Sequence, residues 1–255
     1  MGRLYKLFRW EMNDVIKNVL LFFGILLVGM AMKRSLMEVS SNVGFASGTE
    51  VHLFGASNAS GVSTSILSLL SLDDIWTLLS FLILLLGALT FRYDRDSGVA
   101  RSIYSLPYSN TEIFRVRLLS LLIYGFAMIL LPFTYISVTT YASIAGHLPE
   151  ITSSFIGDAL VLVVFLVLYL IAVATLTSLA SPNAFLAFMV GFAVIYAPRV
   201  TGVSKLPPQL FINAISRSGS TDFTPFTVQY IGWGLLVPLA LFSLSWVLIR
   251  RRDVV

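Results

Sequence analysis

From Ala159 to Pro198 the chain runs for 40 residues without a charged side chain. At about 1.5 Å per helical residue this is about twice the roughly 30 Å depth of a bilayer's hydrocarbon core. Ser181-Pro182-Asn183 interrupts the run near its middle, so the stretch reads as a helical hairpin of two membrane spans. Four more uncharged runs of 15 residues or longer follow the same logic: Asn18–Met32, Ile75–Phe91, Leu118–Gly146 and Val228–Ile249. A buried soluble core does not account for them, because 12% of the residues are charged, half of the roughly 25% of an average soluble domain. The expectation is an all-α polytopic integral membrane protein with six spans at about 18–32, 75–91, 118–146, 159–180, 184–198 and 228–249, forming one domain over 1–255.

Six spans put both termini on one face, and the basic residues say which. Twelve of the 17 Lys and Arg fall on the terminal side, and an excess of Lys and Arg marks the cytoplasmic side. Residues 1–17 place Leu4, Leu7, Phe8 and Met12 on one helical face and Arg3, Lys6 and Arg9 on another. That pattern suits a helix lying in the interface, or equally the start of a longer first helix. Gly29-Met30-Ala31 has the look of a signal-cleavage site, but the long charged lead favours a retained span. Residues 33–72 read as an external loop with a short helix near Ile66 to Leu70, and 199–223 as an external segment carrying the apolar patch Leu210-Phe211-Ile212. Asp73 and Asp74 suit a helix N-terminus, and Trp76 an outer interface. Gly232, Gly234 and Pro238 lower the regularity of the last span.

The longest charge-dense segment lies between the second and third spans, Arg92 to Arg117, with five arginines and three carboxylates. Ser109 and Glu112 have capping-box spacing, so a helix is expected to start at Asn110 and continue into the apolar run from Leu118. Val99, Ile103 and Leu106 share one face of a short amphipathic helix. Pro107, which lacks an amide donor and disfavours helix at Leu106, separates the two. The segment therefore reads as a water-facing handle joined directly to a membrane helix.

Asp94, Gly98, Leu106, Pro107, Ser109, Glu112, Ile113 and Arg117 stand at the spacing found between the second and third spans of type-2 permeases of ATP-binding-cassette (ABC) exporters, and over these 25 or so residues the chain resembles that family. Asn110, Val99, Val116 and Arg117 depart from the residues most common there. The resemblance implies a coupling region over 92–117, in which Asp94, Arg95, Asp96, Gly98, Val99, Arg101, Ile103, Leu106, Pro107, Ser109, Glu112 and Arg117 meet an ABC-type ATPase subunit. It also implies two such ATPases, a second permease chain, identical or paralogous, a prokaryotic plasma membrane, and short helices re-entering the outer leaflet within 199–223.

What the sequence lacks narrows the chemistry. The runs assigned as spans hold no charged residue or histidine, whereas ion-coupled carriers bring ionisable groups into the membrane. There is no Gly-x-x-x-x-Gly-Lys-Ser/Thr phosphate loop. ATP and Mg²⁺ are thus expected in a partner ATPase, with no cofactor or enzymatic activity in this chain itself. There is no cysteine, and the two histidines, His52 and His147, are far apart, which gives no metal site and no catalytic set. Hydroxyls such as Thr175 and Thr177 are expected to bond to their own helix backbone. Nothing forms a nucleic-acid footprint; membrane lipid is the surrounding partner. The alternatives to an exporter subunit are an ATP-independent carrier or channel, or a membrane scaffold. Substrate-lining residues are not legible.

Overall fold

The structure, a computed structural model, describes residues 3–42, 65–93, 96, 108–141, 156–218 and 223–251. Among them every regular element is helical: α1 (Arg3–Met12), α2 (Val15–Asn42), α3 (described over 65–71), α4 (Asp73–Ala88, continued by a π-turn Leu89–Tyr93), α5 (Asn110–Thr140), α6 (Ile156–Ala180), α7 (Ala184–Val200), α8 (Gln209–Arg217) and α9 (Val228–Ile231, a π-turn Gly232–Leu236, then Val237–Arg251). Five of these, α2, α4, α5, α6 and α9, are long and apolar enough to cross a membrane, and α7 is a shorter apolar helix. These are the helices of a multi-pass membrane protein.

Four of the six helices start earlier than the uncharged runs that foretold them, while α7 and α9 start at the expected 184 and 228. Val15 precedes Asn18, Asp73 precedes Ile75, Asn110 precedes Leu118 and Ile156 precedes Ala159. The physical reason is that first turns leave backbone amides unsatisfied and end near water, so polar and charged residues are at home there. Residues 33–42, expected in an external loop, instead prolong α2 to Asn42. α5, in contrast, stops at Thr140, short of the expected Gly146. The helix expected near Ile66 to Leu70 is present as α3. The Ser181-Pro182-Asn183 break does turn the chain: α6 ends at Ala180, and Asn183 caps α7 by accepting from the Leu186 amide at 2.7 Å.

α6 is the hub, contacting α4, α5, α7, α8 and α9. Leu162, Leu166, Leu170, Val163, Val167 and Ile171, which together cover about half of the helix circumference at about 100° per residue, are all fully buried, a wider buried face than the stripe of a surface helix. Between lipid-exposed helices apolar burial alone gives little drive, so close backbone approach matters. A Cβ on Gly87 of α4 would stand 2.9 Å from the Ala174 Cβ of α6, and one on Gly125 of α5 would stand 2.9 Å from Ile171 Cδ1. Thr175 and Thr177 donate to Ile171 O and Val173 O, both in their own helix. α2 and α9 lie at the margin with Phe22, Phe23, Met30, Leu236 and Leu239 exposed, surfaces suited to lipid. The irregular part of α9 falls where Gly232 and Gly234 had indicated it.

At the end away from α1, three sequence expectations resolve differently in detail. Trp76, expected at an interface, is buried within the protein in the first turn of α4, and its indole donates to Leu70 O at 2.6 Å, fixing α3 on α4. Asp73 and Asp74 lie in the first turn of α4, as a helix dipole favours, but Leu72 is the cap and neither carboxylate makes a capping bond. Asp73 instead accepts from Gln209 Nε2 at 3.3 Å and pairs with Arg199 at 3.5 Å, while Arg199 donates to Thr77 Oγ1 at 3.1 Å. This strap joins α4, α7 and α8. The patch Leu210-Phe211-Ile212 belongs to α8 and is buried, with Phe211 edge-on to Phe165 of α6 at 6.3 Å between centroids. Tyr141, which ends α5, is linked to the Ser65 side chain of α3; burial holds its phenol above the usual pKa, and this hydrogen bond partly offsets the rise.

Candidate coupling interface

α1, the π-turn that closes α4, the opening turns of α5 and the turn between α6 and α7 lie at one end of the bundle: α1 and the π-turn both touch α5, and Arg92 of the π-turn reaches Pro182 of the α6–α7 turn. Of the residues expected at the interface, Asp96, Ser109, Glu112 and Arg117 are described; Asp94, Arg95, Gly98, Val99, Arg101, Ile103, Leu106 and Pro107 lie outside the described residues.

The capping box forms as its spacing indicated. Ser109 Oγ accepts from the Glu112 amide at 3.2 Å, and Glu112 Oε2 accepts from the Ser109 amide at 2.8 Å. Two orphan amides of the first turn are thereby satisfied at the point where the charged segment becomes helix. From Asn110 that helix continues for 31 residues. A force applied at Ser109 therefore has an unbroken rod to act on, although Pro132 lies within it.

Asp96 marks where the segment leaves α4. One of its oxygens accepts from Arg92 Nε at 3.0 Å, and the other accepts from the Ala184 amide at 2.7 Å. Arg92 also donates to Pro182 O. Arg92 and Asp96 thus clamp the entry of the charged segment to the α6–α7 turn, about 90 residues further along the chain. The amide that Asp96 satisfies is the first in α7, so the carboxylate sits where the helix dipole favours a negative charge. The neighbouring π-turn Leu89–Tyr93 buries Thr90 completely, with its hydroxyl unsatisfied among the described residues.

Arg117 is not a surface residue. Its side chain is 4% exposed, and its Nε lies 3.9 Å from Glu11 Oε2 in α1. Glu11 in turn pairs with Lys17 of α2, which also lies 3.4 Å from Asp14. Two cations and two carboxylates, drawn from α1, α2, their connection and α5, make a charge-balanced group, three of its members almost fully buried. Around it, Tyr124 donates to Asn18 Oδ1 at 3.1 Å, and Asn18 Nδ2 donates to Met12 O at 2.9 Å. Asp14 accepts from the Ile16 amide at 3.0 Å and so caps α2. Next to the charges, Leu7 of α1 packs with Ile113 and Val116 in the opening turns of α5. α1 is therefore a separate helix, broken from α2 at Asn13-Asp14 and fastened to the root of the charged segment.

Arg117 was expected at a contact with a soluble partner; in the structure its side chain is buried and faces Glu11, so it also helps to hold α1 against α5. Glu11, Lys17, Asp14, Asn18, Tyr124 and Arg92 carry the arrangement without having been singled out. Two signals were readable. Glu11 follows Leu4 and Leu7 at helical spacing on the apolar face, and Arg117 lies between Ile113 and Leu121 on the buried face of α5. An acid on one apolar stripe and a base on another invite pairing, because an isolated buried charge is costly.

Comparison with protein-family models, curated proteins and solved structures returns no match for this chain.

Proposed function

We propose that the chain is the membrane-spanning subunit of an ABC transporter of the type-2 exporter class. It moves its substrate outward with ATP hydrolysed by a separate ATPase docked on the 92–117 segment. In this reading all six apolar helices cross the bilayer, the termini and the charged segment are cytoplasmic, and two permease chains, identical or paralogous, meet two ATPase subunits. The observation that carries it is the spacing of Asp94, Gly98, Leu106-Pro107, Ser109, Glu112-Ile113 and Arg117. The capped helix that leads from this segment directly into the apolar part of α5 supports it.

Val99, Ile103 and Leu106 enter a groove on the ATPase, and Asp94, Arg95, Asp96 and Arg101 orient the rim. Motion of that subunit upon nucleotide binding then reaches two places at once. The Ser109 box passes it to α5, and through Glu11 and Arg117 α1 follows. The Arg92–Asp96 clamp passes it to the α6–α7 turn. Replacing Ile103 with Asp puts a charge into the apolar contact. Co-purification of the ATPase with tagged chain is expected to be lost in Ile103→Asp, and a complex of unchanged stoichiometry would overturn the assignment.

A further inference from the structure

Away from the coupling end, α2 and α5 run side by side in the same direction, with Asn18 next to Tyr124 and Gly29 next to Pro132. A Cβ on Gly29 would lie 3.5 Å from Pro132 Cβ, so the helices touch there. Around this contact lies an open groove of about 820 Å³, lined by Ile25, Gly29, Pro132, Tyr135, Thr139 and neighbouring apolar side chains, with Lys33 at one end.

The groove is chemically graded. At its inner end Ile25, Leu26 and Leu131 offer only hydrocarbon. Thr134 and Thr139 turn their hydroxyls to carbonyls of α5, at 2.9 Å and 2.8 Å, and so show the groove mainly methyl groups. At the outer end are the exposed Lys33 ammonium and the Tyr135 phenol, and Tyr135 is 70% exposed. Among the described residues neither has an ion-pair or hydrogen-bond partner. Lys33 lies eighteen residues beyond Val15, the first residue of α2, hence about 27 Å along the helix. That distance nearly matches the roughly 30 Å hydrocarbon depth and brings the ammonium to the level of lipid headgroups.

We propose that this groove is a binding site for an anionic phospholipid, with an acyl chain along Ile25 to Pro132 and the phosphate at Lys33. This inference is independent of the ATP-driven reading. Charge complementarity selects the ligand: a cation at headgroup depth above a hydrocarbon slot matches a negatively charged amphiphile and gives a zwitterionic one less. A second copy of the chain fits less well. A two-fold contact brings the same patch against itself, and would set Lys33 near Lys33 beside an apolar groove, where like charges repel strongly.

The test uses the purified full-length chain in phosphatidylcholine nanodiscs doped with phosphatidylglycerol that carries a photoactivatable diazirine on its acyl chain. Adducts mapped by peptide mass spectrometry are expected at Leu26, Met30, Leu131 and Tyr135. They should fall at least fivefold in Lys33→Gln, and fall also in Gly29→Leu, which fills the groove. A diazirine phosphatidylcholine should label more weakly and be indifferent to Lys33→Gln. Equal labelling by both lipids, unchanged in Lys33→Gln, would overturn the proposal. So would efficient disulfide cross-linking between two copies of Met30→Cys, since the parent chain has no cysteine and the cross-link would show a second copy covering the groove. Thermal melting of each variant in the same nanodiscs confirms that lost labelling reflects the site and not unfolding.

Discussion

Glu11→Gln is the sharpest perturbation of the end of the bundle where α1 meets α5. It keeps the side chain's shape and one hydrogen-bond acceptor while removing the charge shared by Lys17 and Arg117. Lys17 and Arg117 are each 4% exposed on their side chains, and Glu11 is 3% exposed. The variant takes the Glu11 charge away from buried Lys17 and Arg117, and Asp14, which is 35% exposed, remains 3.4 Å from Lys17. Breaking a buried pair by removing one partner costs about 3–5 kcal/mol, and the retained shape and the nearby Asp14 place this case near the lower end. The loss falls on the docking of α1, because α1 holds to the bundle mainly through Leu7 and this charge group. Leu7→Cys, in a chain without cysteine, supplies a thiol at a position 4% exposed. Its rate of alkylation in mild detergent reports how often α1 lifts off. Adding Glu11→Gln should raise that rate about 100-fold, equivalent to about 3 kcal/mol at 1.4 kcal/mol per decade. Adding Lys17→Met on top should restore part of the protection, because it removes one of the stranded charges. An alkylation rate within threefold of the Leu7→Cys parent would refute the reasoning, since it would mean that the buried charges do not hold α1.

Other perturbations should be smaller, with signs set by local geometry. Asp73→Asn, in an ion pair whose members are 36% and 42% exposed, should cost less than about 1 kcal/mol, read as a melting shift of a few degrees at most. Ser109→Ala removes the cap of α5 and should cost about 1 kcal/mol; Ser109→Asp, which can still cap, should recover most of it in the same melt. Gly234→Ala puts a Cβ 2.3 Å from Phe165 Cγ and should destabilise by about 1–3 kcal/mol through overpacking. Gly232→Ala, with nothing within 4 Å of its Cβ, should be neutral or stabilising; equal melting of the two variants would contradict the packing of α9 on α6.

The parts of the fold legible from sequence are those set by local chemistry. The capping box at Ser109 and the turn at Pro182 depend on residues within a few positions of one another, and both formed as their spacing required. The helix limits were less legible, because a run of uncharged residues ends at the first charge while a helix does not: Lys17 and Asp73 lie inside α2 and α4. The partner of Trp76 was not legible for a related reason. Its amphipathic ring suits an interface, but Leu70 O provides a buried acceptor, and only tertiary structure shows that. Asp96 was expected only at a partner contact and Arg92 only bounded the charged segment, and the α6–α7 turn that both engage comes beside them from 88 and 90 residues away. The Glu11–Lys17–Arg117 group was half visible as charges on apolar stripes, whereas its pairing required three helices to converge.

In the proposed function, the energy for transport comes from a separate ATPase held on the 92–117 segment. The most direct measurement is purification of the tagged chain from its native membrane in mild detergent, with mass spectrometry and an ATPase assay on the eluate. A stoichiometric nucleotide-binding subunit and vanadate-sensitive ATP turnover are expected, both lost in Ile103→Asp while the chain itself still folds. Recovery of the chain with no ATPase, together with substrate flux in vesicles that hold this chain alone, would contradict it.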